Sequence, residues 1–180
     1  MKEFGHVVWL TGCPSSGKST ISDALTKKIK EAHPGLKIQQ LDGDIVRGTA
    51  FGENTGFSPD DRALHIKRMG ELARMFADHG ILVLCSFISP DGRIRQHAKD
   101  IIGDGRFTEV YVKASKEERM KRDVKGLYAK AKAGKISNLT GFNAPYDEPE
   151  QPHVVCDTDA ESVMESTRKV FDHLFREKAE

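Results

Sequence analysis

Short strand-like runs alternate along the chain with longer segments of helical spacing. The strand-like runs lie at 7–10, 37–41, 81–87, 109–114 and 154–156, each of a length that suits a buried strand. Segments 19–33, 60–78, 115–122 and 160–177 carry the spacing of amphipathic helices. In 60–78, the residues Ala63, Ile66, Met69, Ala73 and Phe76 fall on one face. Pro34-Gly35 closes the first of these helices and Gly80 the second. Strands that alternate with helices argue for an α/β fold, one parallel sheet flanked by helices. Ligands of such sheets gather at the carboxyl ends of the strands.

One segment breaks the alternation. Positions 125–151 hold Gly126, Gly134, Gly141, Pro145, Pro149 and four lysines, with little periodicity after Ala133. A stretch of this length without elements of its own is either a solvated loop or a functional one. Glycines and lysines together suit a mobile lid that closes over phosphates and excludes water.

Composition narrows the class. The 180 residues are read as one domain, with no internal repeat or low-complexity linker. Hydrophobic residues at 38% and charged residues at 31% are ordinary for a globular protein, and a net charge of +1 supplies no field to gather nucleic acid. No apolar run approaches the roughly 20 residues of a membrane span, and the first strand starts too early for a leader peptide. Cys13, Cys85 and Cys156 show no metal-ligand spacing, and the latter two sit in strand-like runs as small core residues. Reduced thiols and no leader give a cytoplasmic expectation.

The candidate chemistry begins directly after the first strand. Gly12-Cys13-Pro14-Ser15-Ser16-Gly17-Lys18-Ser19, followed by Thr20 and the first long helix, is the pattern G-x-x-x-x-G-K-[ST] in the context it requires. The glycines let the backbone curl so that N–H groups face phosphate oxygens, and the helix turns its positive end to the same anions. Lys18 is expected on the β/γ-phosphates of ATP and Ser19 on Mg²⁺.

The third strand ends without an acid, whereas the second runs into Leu41-Asp42-Gly43-Asp44-Ile45-Val46-Arg47. Asp42 and Asp44 are placed to contact the metal shell or to take the proton of an acceptor hydroxyl. Arg47 offers a fork for an anion. Farther on, Gly56-Phe57-Ser58-Pro59-Asp60-Asp61-Arg62 reads as a capped helix start, with Ser58 as N-cap and Pro59 at the first helical position. Phe57 is either a hydrophobic staple for that helix or a stacking platform for a planar base. Arg62 is expected to face the same cavity as Arg47.

These strings resemble the adenylylsulfate kinase family over nearly the full length. Besides the loop 12–19 they include Asp42-Gly43-Asp44 with Arg47, Gly56-Phe57-Ser58 with Asp61-Arg62, and Ile88-Ser89-Pro90. Later come Arg122-Asp123-Val124-Lys125-Gly126-Leu127-Tyr128-Ala129-Lys130-Ala131, Thr140-Gly141, Pro145-Tyr146 and Asp157-Thr158. The resemblance implies a P-loop, nucleotide-kinase-like fold and transfer of the ATP γ-phosphoryl group to the 3′-hydroxyl of adenylylsulfate. It also implies a need for Mg²⁺ and a homodimer. Carried over, Lys18, Asp42, Asp44 and Ser89 are the catalytic candidates, the last because the matching serine is sometimes described as a phosphoserine intermediate. Gly12 to Thr20, Arg122 and Thr158 fall on the ATP side, and Ser19 and Asp44 on the metal. Asp42, Arg47, Phe57, Arg62, His65, Ile88, Ser89, Lys125 and Leu139 fall on the acceptor side.

The chain departs from the family's usual pattern mainly on that acceptor side. An asparagine is replaced by His65, a second stacking phenylalanine by Leu139, and the residue after Ile88-Ser89-Pro90 is Asp91. Asp91 is expected to bring negative charge near an anionic acceptor. Two rival readings follow: the same fold acting on another nucleotide, such as a cytidine diphosphate derivative, and a nucleotide-binding protein without catalysis.

Overall fold

The computed structural model describes residues 5–53 and 56–175. Five strands form one parallel sheet: β1 (His6–Thr11), β2 (Ile38–Asp42), β3 (Leu82–Ser86), β4 (Phe107–Lys113) and β5 (Val154–Asp157). Their spatial order is β2-β3-β1-β4-β5, so β1 lies at the centre with β3 and β4 on either side. The chain reverses direction across the sheet there, which opens a crevice beyond the end of β1. All five expected strands are present.

Strand alternation sorts the core into two halves. Val7, Trp9, Val83, Cys85 and Phe107 point to one face, where Met69 and Ala73 of helix α3 (Pro59–Asp78) and Ala98 and Ile102 of helix α4 (Gly92–Ile102) cover them. Val8, Leu10, Leu84, Val110 and Val112 point to the other. They meet Ile21, Leu25 and Ile29 of α1 (Lys18–Ala32) and Val170 and Leu174 of α7 (Val163–Phe175). Cys85 and Cys156 are buried within these two cores, and none of the three cysteines is paired.

Three helices were not read from the sequence: α2 (Gly43–Arg47), α4 and α6 (Leu127–Lys132), the last falling after α5 (Lys116–Arg122). The last expected helix starts late, because the backbone N–H groups of Ala160 and Glu161 fold back onto the Asp157 carbonyl and Ser162 caps Glu165. Its expected end at 176–177 lies outside the described residues. The segment 125–151 is not a solvated loop. Tyr128, Ala131 and Leu139 form a small core of their own with Met120, Leu127, Ile136 and Phe142. Among the described residues no helix is long and apolar enough to cross a membrane.

Candidate active site

Backbone shape dominates where β1 ends. A Cβ on Gly12 would run into the Val112 carbonyl and stand 2.8 Å from Ser16 Oγ, so only glycine passes there. Gly17, at φ 104°, turns the chain into α1, and Ser15 also takes a left-handed φ of 61°. Helix α1 has no side-chain N-cap and no acid in its first turn. Its leading N–H groups are thus left for an anion, which the helix dipole also favours.

Lys18 lies half-buried beneath this turn. Its Nζ donates to the carbonyls of Gly12 (2.9 Å) and Cys13 (2.8 Å). Burial pulls the Lys18 ammonium down to about 8, with Asp42 and Asp44 among the charges working the other way. Arg122 and Thr158 brace the loop from behind. Arg122 donates to Thr158 Oγ1 (2.9 Å) and the Thr158 carbonyl (2.8 Å), and Thr158 Oγ1 donates to the Ser16 carbonyl (3.0 Å). Pro14, Ser15, Gly17, Lys18, Ser19, Thr20, Arg122 and Thr158 line a cavity of about 960 Å³. Gly12, Cys13 and Ser16 do not; they shape the loop from underneath, and the Cys13 thiol faces Gly141 and Arg119.

Beside the loop, the end of β2 supplies the acids. Asp42 caps α2 through Oδ1, which accepts from the Asp44 N–H at 2.9 Å, while its Oδ2 accepts from Ser19 Oγ at 2.5 Å. Asp44 is exposed and pairs with Lys125, the first residue of the lid segment. Ser86, opposite Asp42 in the β2–β3 register, adds a buried hydroxyl with no partner among the described residues. The sequence reading passed over it, because a serine at a strand end carries no motif.

The far half of the cavity is built from side chains. Phe57 is 61% exposed, so it is not a staple. The Arg47 guanidinium lies 4.7 Å from its ring centroid, and Arg47 also donates to the Gly56 carbonyl at 3.0 Å. Arg62 donates to the Phe57 carbonyl (2.9 Å), the Asn138 carbonyl (2.7 Å) and the Thr140 hydroxyl, tying α3 to the lid. Ser58 is the expected N-cap, and with Asp61 it closes a capping box whose hydrogen bonds hold the Asp61 carboxyl below its usual range. Leu139 lines the cavity from the lid core.

His65 follows Arg62 by one helical turn. It is buried, lines the cavity, and has no hydrogen-bond partner at either ring nitrogen among the described residues. Burial first, then Arg47 and Arg68, bring its imidazole down to about 4.

The third wall is Ile88-Ser89-Pro90. Ser89 takes a left-handed φ of 38° and is only 2% exposed. Its hydroxyl accepts from Trp9 Nε1 (3.1 Å) and donates to Thr11 Oγ1 (3.0 Å). Buried Arg95 fixes the Ser89 carbonyl at 2.8 Å and pairs with Glu109 at 3.0 Å. Tyr146 closes the arrangement, its hydroxyl 2.9 Å from Thr11 Oγ1. Asp91 stays out of the cavity. It caps α4 and pairs with Arg93 at 2.8 Å, which holds its carboxyl below the usual range. Its negative charge is thus met by the α4 N-terminus and by Arg93. Tyr128, whose hydroxyl donates to the Pro14 carbonyl at 3.0 Å, and Arg95 were missed as site supports. The signal for Tyr128 was its place inside the Lys125–Ala131 string.

A glycine-bent loop at a helix N-terminus, two acids and an arginine-rimmed wall thus share one cavity. The family model for adenylylsulphate kinase matches residues 4–157. The chain belongs to the adenylylsulfate kinase family. It is similar to the adenylyl-sulfate kinase of Staphylococcus carnosus, 44% identical over 97% of this chain and 87% of that protein. A probable adenylyl-sulfate kinase of Synechocystis is 44% identical over 97% and 96% of the two chains. Among solved structures, the Mycobacterium tuberculosis APS kinase CysC in complex with AMPPNP and APS superposes with a TM-score of 0.90. It is 37% identical and covers 96% of this chain and 98% of that one. A gluconokinase of Sinorhizobium meliloti, at 16% identity and a TM-score of 0.57, shares the fold alone.

Proposed function

We propose that the protein transfers the γ-phosphoryl group of ATP to the 3′-hydroxyl of adenylylsulfate, giving 3′-phosphoadenylylsulfate. The observation that carries this is the joining of a complete phosphate loop to an arginine- and aromatic-rimmed wall in one cavity, in a chain of this family. The loop N–H groups and Lys18 bind the phosphates and stabilise the charge that spreads over the transferring group. Arg47 and Arg62 hold the anionic end of the acceptor, and Phe57 and Leu139 flank its base. Lys125 follows the phosphates as the lid seats. The acceptor 3′-oxygen forms the new bond to phosphorus as the bond to the β-phosphate oxygen breaks. The hydroxyl proton passes to the Asp42–Asp44 pair, and ADP leaves.

The donor set fits Mg²⁺. Ser19 and Asp44 would supply hard oxygen ligands, with Asp42 beside them. Among the described residues no cluster of three acids, histidines or cysteines forms an all-protein cage. That is the pattern of an ion held largely by substrate phosphates and water. Bound there, Mg²⁺ would supply positive charge against the β- and γ-phosphates. The Ser89 hydroxyl is committed to Trp9 and Thr11, which supports Ser89 as part of the acceptor wall and not as a phosphoryl carrier. We read the protein as cytoplasmic and homodimeric; light scattering checks the second. A Thiobacillus denitrificans relative, 25% identical, is a hexameric APS kinase, so other assemblies occur in related chains.

The test is ADP release with Mg–ATP and a panel of acceptors. Turnover with adenylylsulfate, and a product phosphorylated at the 3′ position, is expected. Turnover with cytidine diphosphate derivatives and none with adenylylsulfate overturns the proposal, and ATP binding with no acceptor-dependent ADP overturns catalysis itself.

A further inference from the structure

His65 is a charge-capable side chain in a place where it gains nothing from the free protein. It is 3% exposed, and neither ring nitrogen has a partner among the described residues. Buried polar atoms left unpaired are destabilising, and a site that keeps them has a ligand to complete them as one explanation. Here the nitrogens sit in the wall of the acceptor cavity. What faces the ring is known from each side. The Phe87 ring packs edge-on at 5.8 Å after β3, Arg47 acts on it from α2, and Arg68 acts from its own helix. Arg62 stands one turn ahead on α3. The charges that act on the imidazole are thus all positive, and it is neutral in the free protein.

An anionic acceptor changes the sign of that environment. Once a negative group sits against Arg47 and Arg62, the nearest new charge to His65 favours its protonated form, which can donate from both nitrogens. We propose that His65 reads the anionic end of the acceptor and takes up a proton as the acceptor binds, so that acceptor affinity rises as pH falls. This rests on adenylylsulfate as the acceptor.

The sign follows from linkage. Binding raises the proton affinity of His65 above its free value. The gain in acceptor affinity is therefore complete once pH falls below the free value of about 4, and it is lost as pH rises through the higher, bound value.

Calorimetric titration of adenylylsulfate into the Mg–ADP-loaded protein tests it, because no transfer can occur in that complex. The titration is run at about pH 5.5, between the free His65 value and the ordinary histidine value, in buffers of different ionisation enthalpy. The wild type is expected to take up a fraction of a proton per acceptor bound, and His65→Asn and His65→Leu to take up none beyond a shared background. Equal proton uptake by wild type and His65→Asn overturns the inference while leaving the acceptor reading intact. No binding of adenylylsulfate by the wild type overturns the acceptor reading itself, and the inference with it.

Discussion

The two halves of the cavity are made of different material. The donor half is a backbone object. Gly12 and Gly17 set its curve, an uncapped helix start supplies its N–H groups, and Lys18 and Arg122 are already tied to its carbonyls. The acceptor half is a side-chain object. Phe57 stands largely in solvent under a guanidinium, the His65 nitrogens have no hydrogen-bond partner among the described residues, and Arg62 reaches across to the Asn138 carbonyl. On the proposed reading, the difference teaches that the donor site is prebuilt, whereas the acceptor site is finished by its ligand. Mutations in the first half are expected to remove chemistry, and those in the second to change which molecule is used and how well.

The largest break in that comparison is Lys18→Ala. It removes a charge aimed at the transferring group, and kcat is expected to fall about 10²–10³-fold in steady-state assays. A fall in acceptor affinity alone would erase the distinction between the halves. The depressed Lys18 amine gives a second readout. It is expected to react with an acylating reagent near pH 8 faster than an ordinary lysine, and Mg–ATP is expected to protect it.

Next in size is Arg47→Ala. Loss of a charged hydrogen bond, worth about 1.5–3 kcal/mol, is expected to raise the acceptor KM roughly ten- to a hundredfold with the ATP KM little changed. An equal rise in both constants would join the two halves into one site.

The contrast also explains what could be read in advance. The sheet and the donor half were legible because their signals are local. A G-x-x-x-x-G-K-[ST] string between a strand and a helix needs no knowledge of the rest of the chain. The Ser58 cap followed by Pro59 was legible for the same reason, whereas the reciprocal bond from Asp61 that makes it a capping box was not read. Helix α4 was hidden because Asp91-Gly92 reads as a turn, although Asp91 turns out to be its N-cap. The small core of segment 125–151 was hidden because it joins Met120 to Phe142 across glycines at 126, 134 and 141, a pattern with no single period. Arg95, Glu109 and Tyr146 support the acceptor wall from three separate elements, so only the fold brings them together. Asp91 shows the limit of reading charge from spacing, since a cap and Arg93 claim its carboxylate before any ligand can meet it.

Two smaller changes sharpen the comparison. His65→Leu fills the same region without unpaired nitrogens, which cost about 1–3 kcal/mol when buried, so thermal denaturation is expected at a higher Tm while acceptor use weakens. A lower Tm together with normal acceptor use would make His65 an ordinary core residue. Leu139→Phe adds an aromatic face to the cavity that Phe57 also lines. A gain of about 0.5–1.5 kcal/mol is expected, seen as a severalfold lower acceptor KM in the same assay. An unchanged KM would place the base elsewhere.

The most direct measurement is a crystal structure with Mg–ADP and adenylylsulfate bound together. The expected result has ADP phosphates in the 12–19 loop, the acceptor base between Phe57 and Leu139, and its anionic end against Arg47, Arg62 and His65. Adenylylsulfate bound away from Phe57 and Leu139, or with its anionic end turned from the arginines, would contradict an acceptor half completed by its ligand.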